Sequence, residues 1–476
     1  SPPNRVKKLA MRATASKNAS RTTLPEVDRL ASLGGGVVVW PPLRPWRPLL
    51  ESALTLGRTL VICPGVSTAR TIAVALRREG FTVALMPDDW QRAAEGVDVV
   101  VGARSAVWAP CNDLRAVVVL DEHDERLQDE RSPTWHARDV AIERARRAGA
   151  PCLVVSPIPT VSACEWAGES RTVALSGDNA GWPTITVVDP HTGLGDDEAP
   201  RTGLLSSSLI TALRDSSKVV ACVLNVKGRA RLVACKSCRE IARCERCDAA
   251  MVLGNGLECP ACQHHRPEVC SSCGAGAFAL LRKGVSRARE EIEAAARRVV
   301  IEVTGDSIEP ANNAGAVYVG TEAMLHRLNA ADVVAFLDFD NEVFAPTYRA
   351  GEHAWSLLIL ASRLVRGASD PQIILQSNDA MNPVVSAFAG HDVPAMINVE
   401  RDKRRMLQLP PFSFMARVVG DESDGAFLAS PPLGVSVAAT RVGEWLIRAN
   451  DEEQFVTFCG ALRARNVRVY SDPQRY

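Results

Sequence analysis

Four cysteine pairs decide how this chain reads: Cys235-Lys236-Ser237-Cys238, Cys244-Glu245-Arg246-Cys247, Cys259-Pro260-Ala261-Cys262 and Cys270-Ser271-Ser272-Cys273. They hold eight of the 14 cysteines within 39 residues. Two residues between thiolates let one tight turn aim both sulfurs at a single tetrahedral zinc, so four pairs supply two complete four-cysteine sites. A disulfide framework belongs to small secreted chains, and a redox C-x-x-C comes singly in a βαβ setting. Two structural zinc ions are therefore expected. The spacing leaves two groupings open. In a nested one, Cys235, Cys238, Cys270 and Cys273 hold one zinc, and Cys244, Cys247, Cys259 and Cys262 the other. In a sequential one, successive pairs share a metal. His264 and His265 read as solvent-facing, because eight thiolates already fill eight ligand positions. The other six cysteines (Cys63, Cys111, Cys152, Cys164, Cys222 and Cys459) read as small buried apolar residues.

Charge limits what this segment touches. From Lys227 to Cys273 there are eight basic and five acidic residues. Two zinc ions and eight thiolates would bring the module to about −1, a poor surface for phosphate. Protein contact or strand guidance fits it better than tight duplex binding.

Working outward, 476 residues call for two to four domains. Hydrophobic residues at 46% and charged residues at 23% exclude a mainly disordered chain. Fifty-five basic side chains balance 55 acidic ones, which excludes a histone-like protein. No apolar run approaches the roughly 18 to 20 residues of a membrane span. Ser1 to Ser20 is basic and has no apolar h-region, so no secretory signal is read there.

Strands and helices alternate before the cysteines, which is the α/β signature. Val37–Trp40, Thr59–Cys63, Val97–Gly102, Ala116–Leu120 and Cys152–Ser156 read as buried strands, and Val66–Glu79 as a helix capped by Gly80. The rhythm resumes after the cysteines. Helices are expected at Ser286–Arg298 and Glu352–Arg366, with strands at Val299–Val303, Ala316–Gly320, Val333–Asp338 and Gln372–Gln376. Asp189–Thr202 and Asp421–Gly434, rich in Gly, Pro and acids, read as linkers. Beyond Asp421 a small α/β domain is expected, with a helix near Thr440–Arg448 and a strand at Val467–Tyr470.

Asp121-Glu122, at a strand end, is the pattern with which nucleotide-driven motors hold magnesium and polarise water. An exposed polar turn would look the same. The motor reading also requires a glycine-rich phosphate loop with a lysine after an earlier strand. The chain reads Pro41-Pro42-Leu43-Arg44-Pro45-Trp46-Arg47-Pro48 there, and no lysine lies between Lys17 and Lys218. Proline removes the amides that would cradle phosphate, and ATP hydrolysis is not expected.

Taken together, these motifs resemble the primosomal protein N′ family, the PriA replication restart proteins. The resemblance runs collinearly from about Val37 to Tyr476. Asn225-Val226-Lys227-Gly228 resembles the family's Asn-Arg-Arg-Gly, and Val101-Gly102-Ala103-Arg104-Ser105-Ala106 its Gly-x-Arg-Ser-Ala segment. Asp121-Glu122-His123-Asp124-Glu125 corresponds to its Asp-Glu-Glu-His box, changed at the third position. Pro133-Thr134-Trp135-His136-Ala137-Arg138-Asp139 resembles its aromatic-rich loop. Gly320-Thr321-Glu322-Ala323-Met324 is similar to Gly-Thr-Gln-Met, and Leu409-Pro410-Pro411-Phe412 to Tyr-Pro-Pro-Phe. Three places depart from the family. The phosphate loop is proline, Leu325-His326-Arg327 replaces a Lys-Gly-His stretch, and Ala361-Ser362-Arg363-Leu364-Val365-Arg366-Gly367 has lost the glycine spacing of the arginine-finger motif.

The resemblance implies an α/β protein with two RecA-like helicase-type lobes, an inserted zinc module and a small C-terminal α/β domain. Its segments would be a basic arm at 1–35, a degenerate lobe 1 at 36–188, lobe 2 at 203–229 and 283–390, the zinc module at 230–282 and the C-terminal domain at 391–476. It implies the nested zinc pairing, two zinc ions per chain and no functional ATP site, with Asp121 and Glu122 a degenerate box. The family's N-terminal DNA-binding domain would be absent or reduced to Ser1–Leu33. Such a helicase-dead homologue belongs to high-GC bacteria, in keeping with 47 arginines against 8 lysines.

The expected function is a DNA-binding restart protein that recognises stalled or repaired forks and initiates primosome assembly without helicase activity. The alternatives are an ATP-dependent 3′-to-5′ translocase with an unorthodox site and a zinc-stabilised protein-interaction scaffold. Arg104, Trp135 and Arg138 are the candidate DNA contacts, with stacking on Trp135. Expected partners are forked and single-stranded DNA, other primosome proteins, the replicative helicase loading machinery and single-stranded-DNA-binding protein, with no membrane. The expected location is cytoplasmic and nucleoid-associated.

Overall fold

Short apolar runs form buried strands, and amphipathic segments form the helices that cover them. The computed structural model describes residues 23–174, 181–189, 205–225, 233–254, 256–260, 262–280, 285–303, 314–465 and 467–473. The N-terminal arm up to residue 22 and nearly all of the Asp189–Thr202 linker lie outside the described residues, as does 226–228 of the Asn225–Gly228 motif.

Over the described residues the chain divides into two compact units. One runs up to Val38 and adds Pro45–Asp121 and His136–Val154; the other comprises Val39–Arg44, Glu122–Trp135 and the chain from Val155 onward. The first sheet includes β1 (Gly35–Val39), β2 (Thr59–Ile62), β3 (Val83–Leu85), β4 (Val99–Gly102), β5 (Ala116–Leu120) and β6 (Cys152–Ser156). Their order is β3-β4-β2-β5-β6-β1, and β2 pairs in parallel with both β4 and β5. Every residue of β1, β2, β4, β5 and β6 is buried, as short apolar parallel strands covered on both faces require. Helix α1 (Val66–Arg78) turns Ala69, Ile72, Ala73 and Leu76 inward at helical spacing. It ends at Gly80, whose φ of 91° lets Phe81 N–H reach back to the Leu76 carbonyl.

The second unit holds six parallel strands: β7 (Thr184–Val188), β8 (Val220–Val223), β9 (Val300–Val303), β10 (Val317–Gly320), β11 (Val333–Phe336) and β12 (Gln372–Gln376). Their order is β7-β12-β11-β8-β10-β9. Helices α2 (Ala350–Leu364) and α3 (Val393–Met406) bring Trp355, Leu358, Ile359, Met396 and Ile397 into one core with Tyr318, Phe336 and Phe339. The cysteine segment lies between β8 and β9 in the chain and carries its own short antiparallel strands. Both α/β sheets and the cysteine module thus take the expected form.

The C-terminal sheet comprises β13 (Phe414–Val419), β14 (Val435–Arg441), β15 (Glu444–Ala449) and β16 (Arg468–Ser471), in the order β14-β15-β13-β16. Two expectations fail here. Thr440–Arg448 is a hairpin, not a helix: Gly443 takes φ 71°, and Trp445, Ile447 and Ala449 alternate inward with period 2. The helix comes later, as α4 (Glu452–Ala464). Asp421–Gly434 is not a linker either, since Leu428 is 1% exposed in this core and Phe427 stacks on Phe458 at 5.6 Å. Its polar composition reflects a folded surface segment between two strands of one sheet. Among the described residues, no helix is long and apolar enough to cross a membrane.

Candidate metal centres and a polar cavity

Each cysteine pair builds the same turn. The carbonyl of the first cysteine accepts the N–H of the residue four positions on, at 2.9 Å in all four: Arg239 to Cys235, Asp248 to Cys244, Gln263 to Cys259 and Gly274 to Cys270. That fourth residue is left-handed each time, with φ of 65°, 58°, 59° and 72°. Backbone N–H groups also point at sulfur, from Ser237 to Cys235, Arg246 to Cys244 and Cys262 to Cys259, each at 3.4 Å.

The turns meet in the nested arrangement. Cys235, Cys238, Cys270 and Cys273 bring their sulfurs within 4.8 Å of one another, and so do Cys244, Cys247, Cys259 and Cys262. Individual Sγ–Sγ separations are 3.6 Å (Cys235–Cys273), 3.5 Å (Cys238–Cys270), 3.4 Å (Cys244–Cys262) and 3.5 Å (Cys247–Cys259). A tetrahedron with Zn–S bonds of about 2.3 Å has edges of about 3.7 Å, so the two clusters have the dimensions of four-thiolate metal sites. Backbone N–H groups at Cys238 and Ser237 pull the Cys235 thiol down to about 6. Burial opposes the same effect at Cys244, yet the N–H groups of Arg246 and Cys247 still lower it to about 7. Their neighbours move the other way: against the Glu240 N–H, the Cys273 thiol pushes Cys238 up to about 12, and burial raises Cys247. Five of the six remaining cysteines are buried, and Cys111 is intermediate.

Within the second unit, Arg243 seats the cysteine module against Phe344 and Asp379. Its guanidinium lies 4.2 Å above the Phe344 ring and 2.5 Å from Asp379, beside a small apolar contact of Ile241, Ala250 and Phe344.

The second unit also holds a cavity of about 550 Å³, lined by His123, Asp124, His326, Glu342, His353 and Arg363 among others. Glu342 accepts the Asn225 side-chain N–H at 2.7 Å, and the Asn225 oxygen accepts Glu322 N–H at 2.6 Å. Burial pushes Glu342 up to about 7, and the Glu322 carboxylate adds to it. Burial would raise Asp124 too, but its two-pronged pairing with Arg126, at 2.9 and 2.6 Å, holds it below the ordinary carboxylate range. Burial first, then Arg126, lowers His326.

The Asp121-Glu122 pair is buried in the protein. Asp121 is 2% exposed with φ 55°. Glu122 is fully buried, and its two oxygens accept the Thr160 hydroxyl at 2.6 Å and the Thr160 N–H at 3.0 Å. In the proline loop, Leu43 N–H goes to the Gly181 carbonyl at 2.9 Å, and Arg44 N–H to the Pro41 carbonyl at 3.1 Å. Of the candidate DNA contacts, Arg104 and Trp135 are half-buried. Arg138 is 4% exposed and pairs with Asp139 at 2.8 Å, so its guanidinium is held in its helix rather than offered to a surface.

The Asn225–Glu342 link and the buried cluster of Arg349, Glu352 and Arg404 were not foreseen. A signal for the first exists: Asp338-Phe339-Asp340-Asn341-Glu342 is an acidic run beyond a strand, as Asp121-Glu122 is. For the second, Arg349 and Glu352 stand at helical spacing, but nothing local points to Arg404, 52 residues beyond Glu352.

No protein-family model matches the chain. Replication restart protein PriA of Bacillus subtilis (strain 168) is 25% identical over 408 residues, 78% of this chain and 50% of its own length. The probable replication restart protein PriA of Mycobacterium leprae is 30% identical over 362 residues, 72% of this chain and 55% of its own. PriA of Synechocystis sp. is 24% identical over 378 residues, 71% of this chain and 45% of its own. The chain therefore spans about half the length of these relatives. A solved structure of S. cerevisiae Dbp5 is a distant likeness, with 12% identity, a TM-score of 0.36 and coverage of 80% of this chain and 93% of its own. Similarity of this extent to several PriA proteins, over stretches long enough that each must include both cysteine clusters, makes this chain PriA-like.

Proposed function

We propose that the chain is a DNA-binding restart factor that recognises stalled or repaired forks and initiates primosome assembly without unwinding DNA itself. The carrying observation is the loop after β1 in an otherwise PriA-like chain. Pro41 and Pro42 have no N–H, and the N–H groups of Leu43 and Arg44 are spent on the Gly181 and Pro41 carbonyls. A phosphate cradle needs several amides pointing outward, and here they point inward. Glu122 is turned to Thr160 in the same sense. The two cysteine clusters hold two structural zinc ions, which supply cross-links that the short strands of the module could not replace. Forked and single-stranded DNA are the ligands, and Trp135 offers a face for base stacking. Primosome proteins, the helicase loading machinery and single-stranded-DNA-binding protein are the partners.

The test measures fork binding and unwinding together, with and without ATP. Binding that weakens steeply with salt and no ATP-dependent unwinding are expected. DNA-stimulated ATP turnover that disappears on Asp121→Asn and Glu122→Gln substitution would overturn the reading.

A further inference from the structure

The C-terminal sheet ends in an edge strand. In the order β14-β15-β13-β16, the outer side of β16 has no neighbouring strand among the described residues. An open row of N–H and C=O groups normally has to be covered. Here side chains of Gln128–Thr134 cover it. The Ser132 hydroxyl donates to the Val469 carbonyl at 2.9 Å and accepts the Val469 N–H at 3.1 Å. The Thr134 hydroxyl donates to the Ser471 carbonyl at 2.7 Å, and the Gln128 amide to the Asp472 carbonyl at 2.9 Å. Ser132 and Thr134 are two residues apart, as are Val469 and Ser471, so the two hydroxyls imitate the ladder of a missing strand.

The strand end is itself fixed. The Asp472 carboxylate accepts the Tyr348 hydroxyl at 2.5 Å and the Arg349 guanidinium at 2.5 Å. Arg349 is 3% exposed and lies 3.8 Å from Glu352 on α2. The start of the same loop is held separately, by Glu122 on Thr160 and by Glu125 at 3.0 Å from His353. Between these two anchors the Arg131 side chain stands 87% exposed, and Trp135 follows directly after the second.

We propose that Ser132 and Asp472 are positioning residues: through them the C-terminal strand holds the Gln128–Trp135 loop in one pose, and that pose sets how Trp135 meets single-stranded DNA. The anchoring half stands on hydrogen bonds alone. The DNA half rests on the proposed function.

The test uses the full chain with Ser132→Ala, Ser132→Thr and Asp472→Asn. Tryptic cleavage after Arg131 is timed by mass spectrometry, and affinity for a forked DNA with a single-stranded arm is measured alongside. Ser132→Ala loses both contacts to Val469, so cleavage should speed up roughly five- to tenfold, the rise in local opening expected for one lost hydrogen-bond pair. Fork affinity should fall with it. Ser132→Thr keeps the hydroxyl and should restore both readouts, which a general loss of stability would not do. Unchanged cleavage in both Ser132→Ala and Asp472→Asn overturns the anchoring. Faster cleavage with undiminished fork affinity overturns the positioning role. A parent protein that binds no fork overturns the proposed function and the DNA half, while cleavage still decides the anchoring.

Discussion

Arg404 Nη2 lies 2.7 Å from Glu352 Oε2, with Arg404 0% exposed and Glu352 9% exposed. Burial would raise the Glu352 carboxyl, but Arg404 and then Arg349 pull it down from 4.5 to about 2. A depressed carboxylate contributes stability that is complete above its unfolded value and is lost as pH falls through its folded one. Glu352→Gln removes one partner of a buried pair, so it should destabilise the second unit at pH 7 by about 3–5 kcal/mol. It should also flatten the loss of stability between pH 4.5 and 2. Denaturant unfolding across that pH range checks both.

Glu342 behaves in the opposite sense. Its carboxyl is raised to about 7, so its contribution is complete below 4.5 and is lost as pH rises towards 7. Glu342→Gln keeps an acceptor for Asn225 and cannot ionise. The variant should gain on the parent by about 1–2 kcal/mol between pH 5 and 8, less than full burial would give because the side chain keeps some access to water. Equal pH dependence of the two proteins would refute this.

Metal content tests the nested clusters. The parent should carry two zinc ions per chain. Cys238→Ser with Cys273→Ser strikes one cluster twice and should leave one zinc. Cys238→Ser with Cys247→Ser strikes both clusters and should leave none. A sequential grouping would give the reverse for the two double variants, so elemental analysis separates them.

Arg243→Ala should loosen the module's seat without emptying its metal sites. The substitution removes the contact over Phe344 and the pair with Asp379. A loss of about 1–3 kcal/mol is expected for a partly desolvated cation–π and ion pair. Hydrogen exchange over 233–254 should quicken while zinc content stays at the parent's value. Arg243→Lys should recover only part of the loss, since an ammonium cannot offer a planar stack and a fork together.

Most strands of the two α/β sheets were legible as short apolar runs, such as Ala116–Leu120 or Val333–Phe336, but Val83–Leu85, Thr184–Val188 and Val220–Val223 were not read, and Thr184–Val188 is only partly buried. Helix α1 was legible from Ala69, Ile72, Ala73 and Leu76 at helical spacing and from Gly80 behind them. The C-terminal sheet was misread where Val435–Arg441 and Glu444–Ala449 are only partly buried: a hairpin joined by Val442-Gly443 mixes polar and apolar positions that a helix also tolerates.

The sequence by itself determined that eight cysteines in four equal pairs would make two four-thiolate clusters, because two-residue spacing confines each pair to one turn. It also determined that the loop after β1 carries prolines at 41, 42, 45 and 48, which have no amide to offer. Only the tertiary structure decided which pairs meet, that Arg138 is buried, and that Asn225 meets Glu342 and Arg404 meets Glu352. Those contacts join residues from 12 to 117 positions apart, and their partners are chosen by how strands and helices pack rather than by any local spacing.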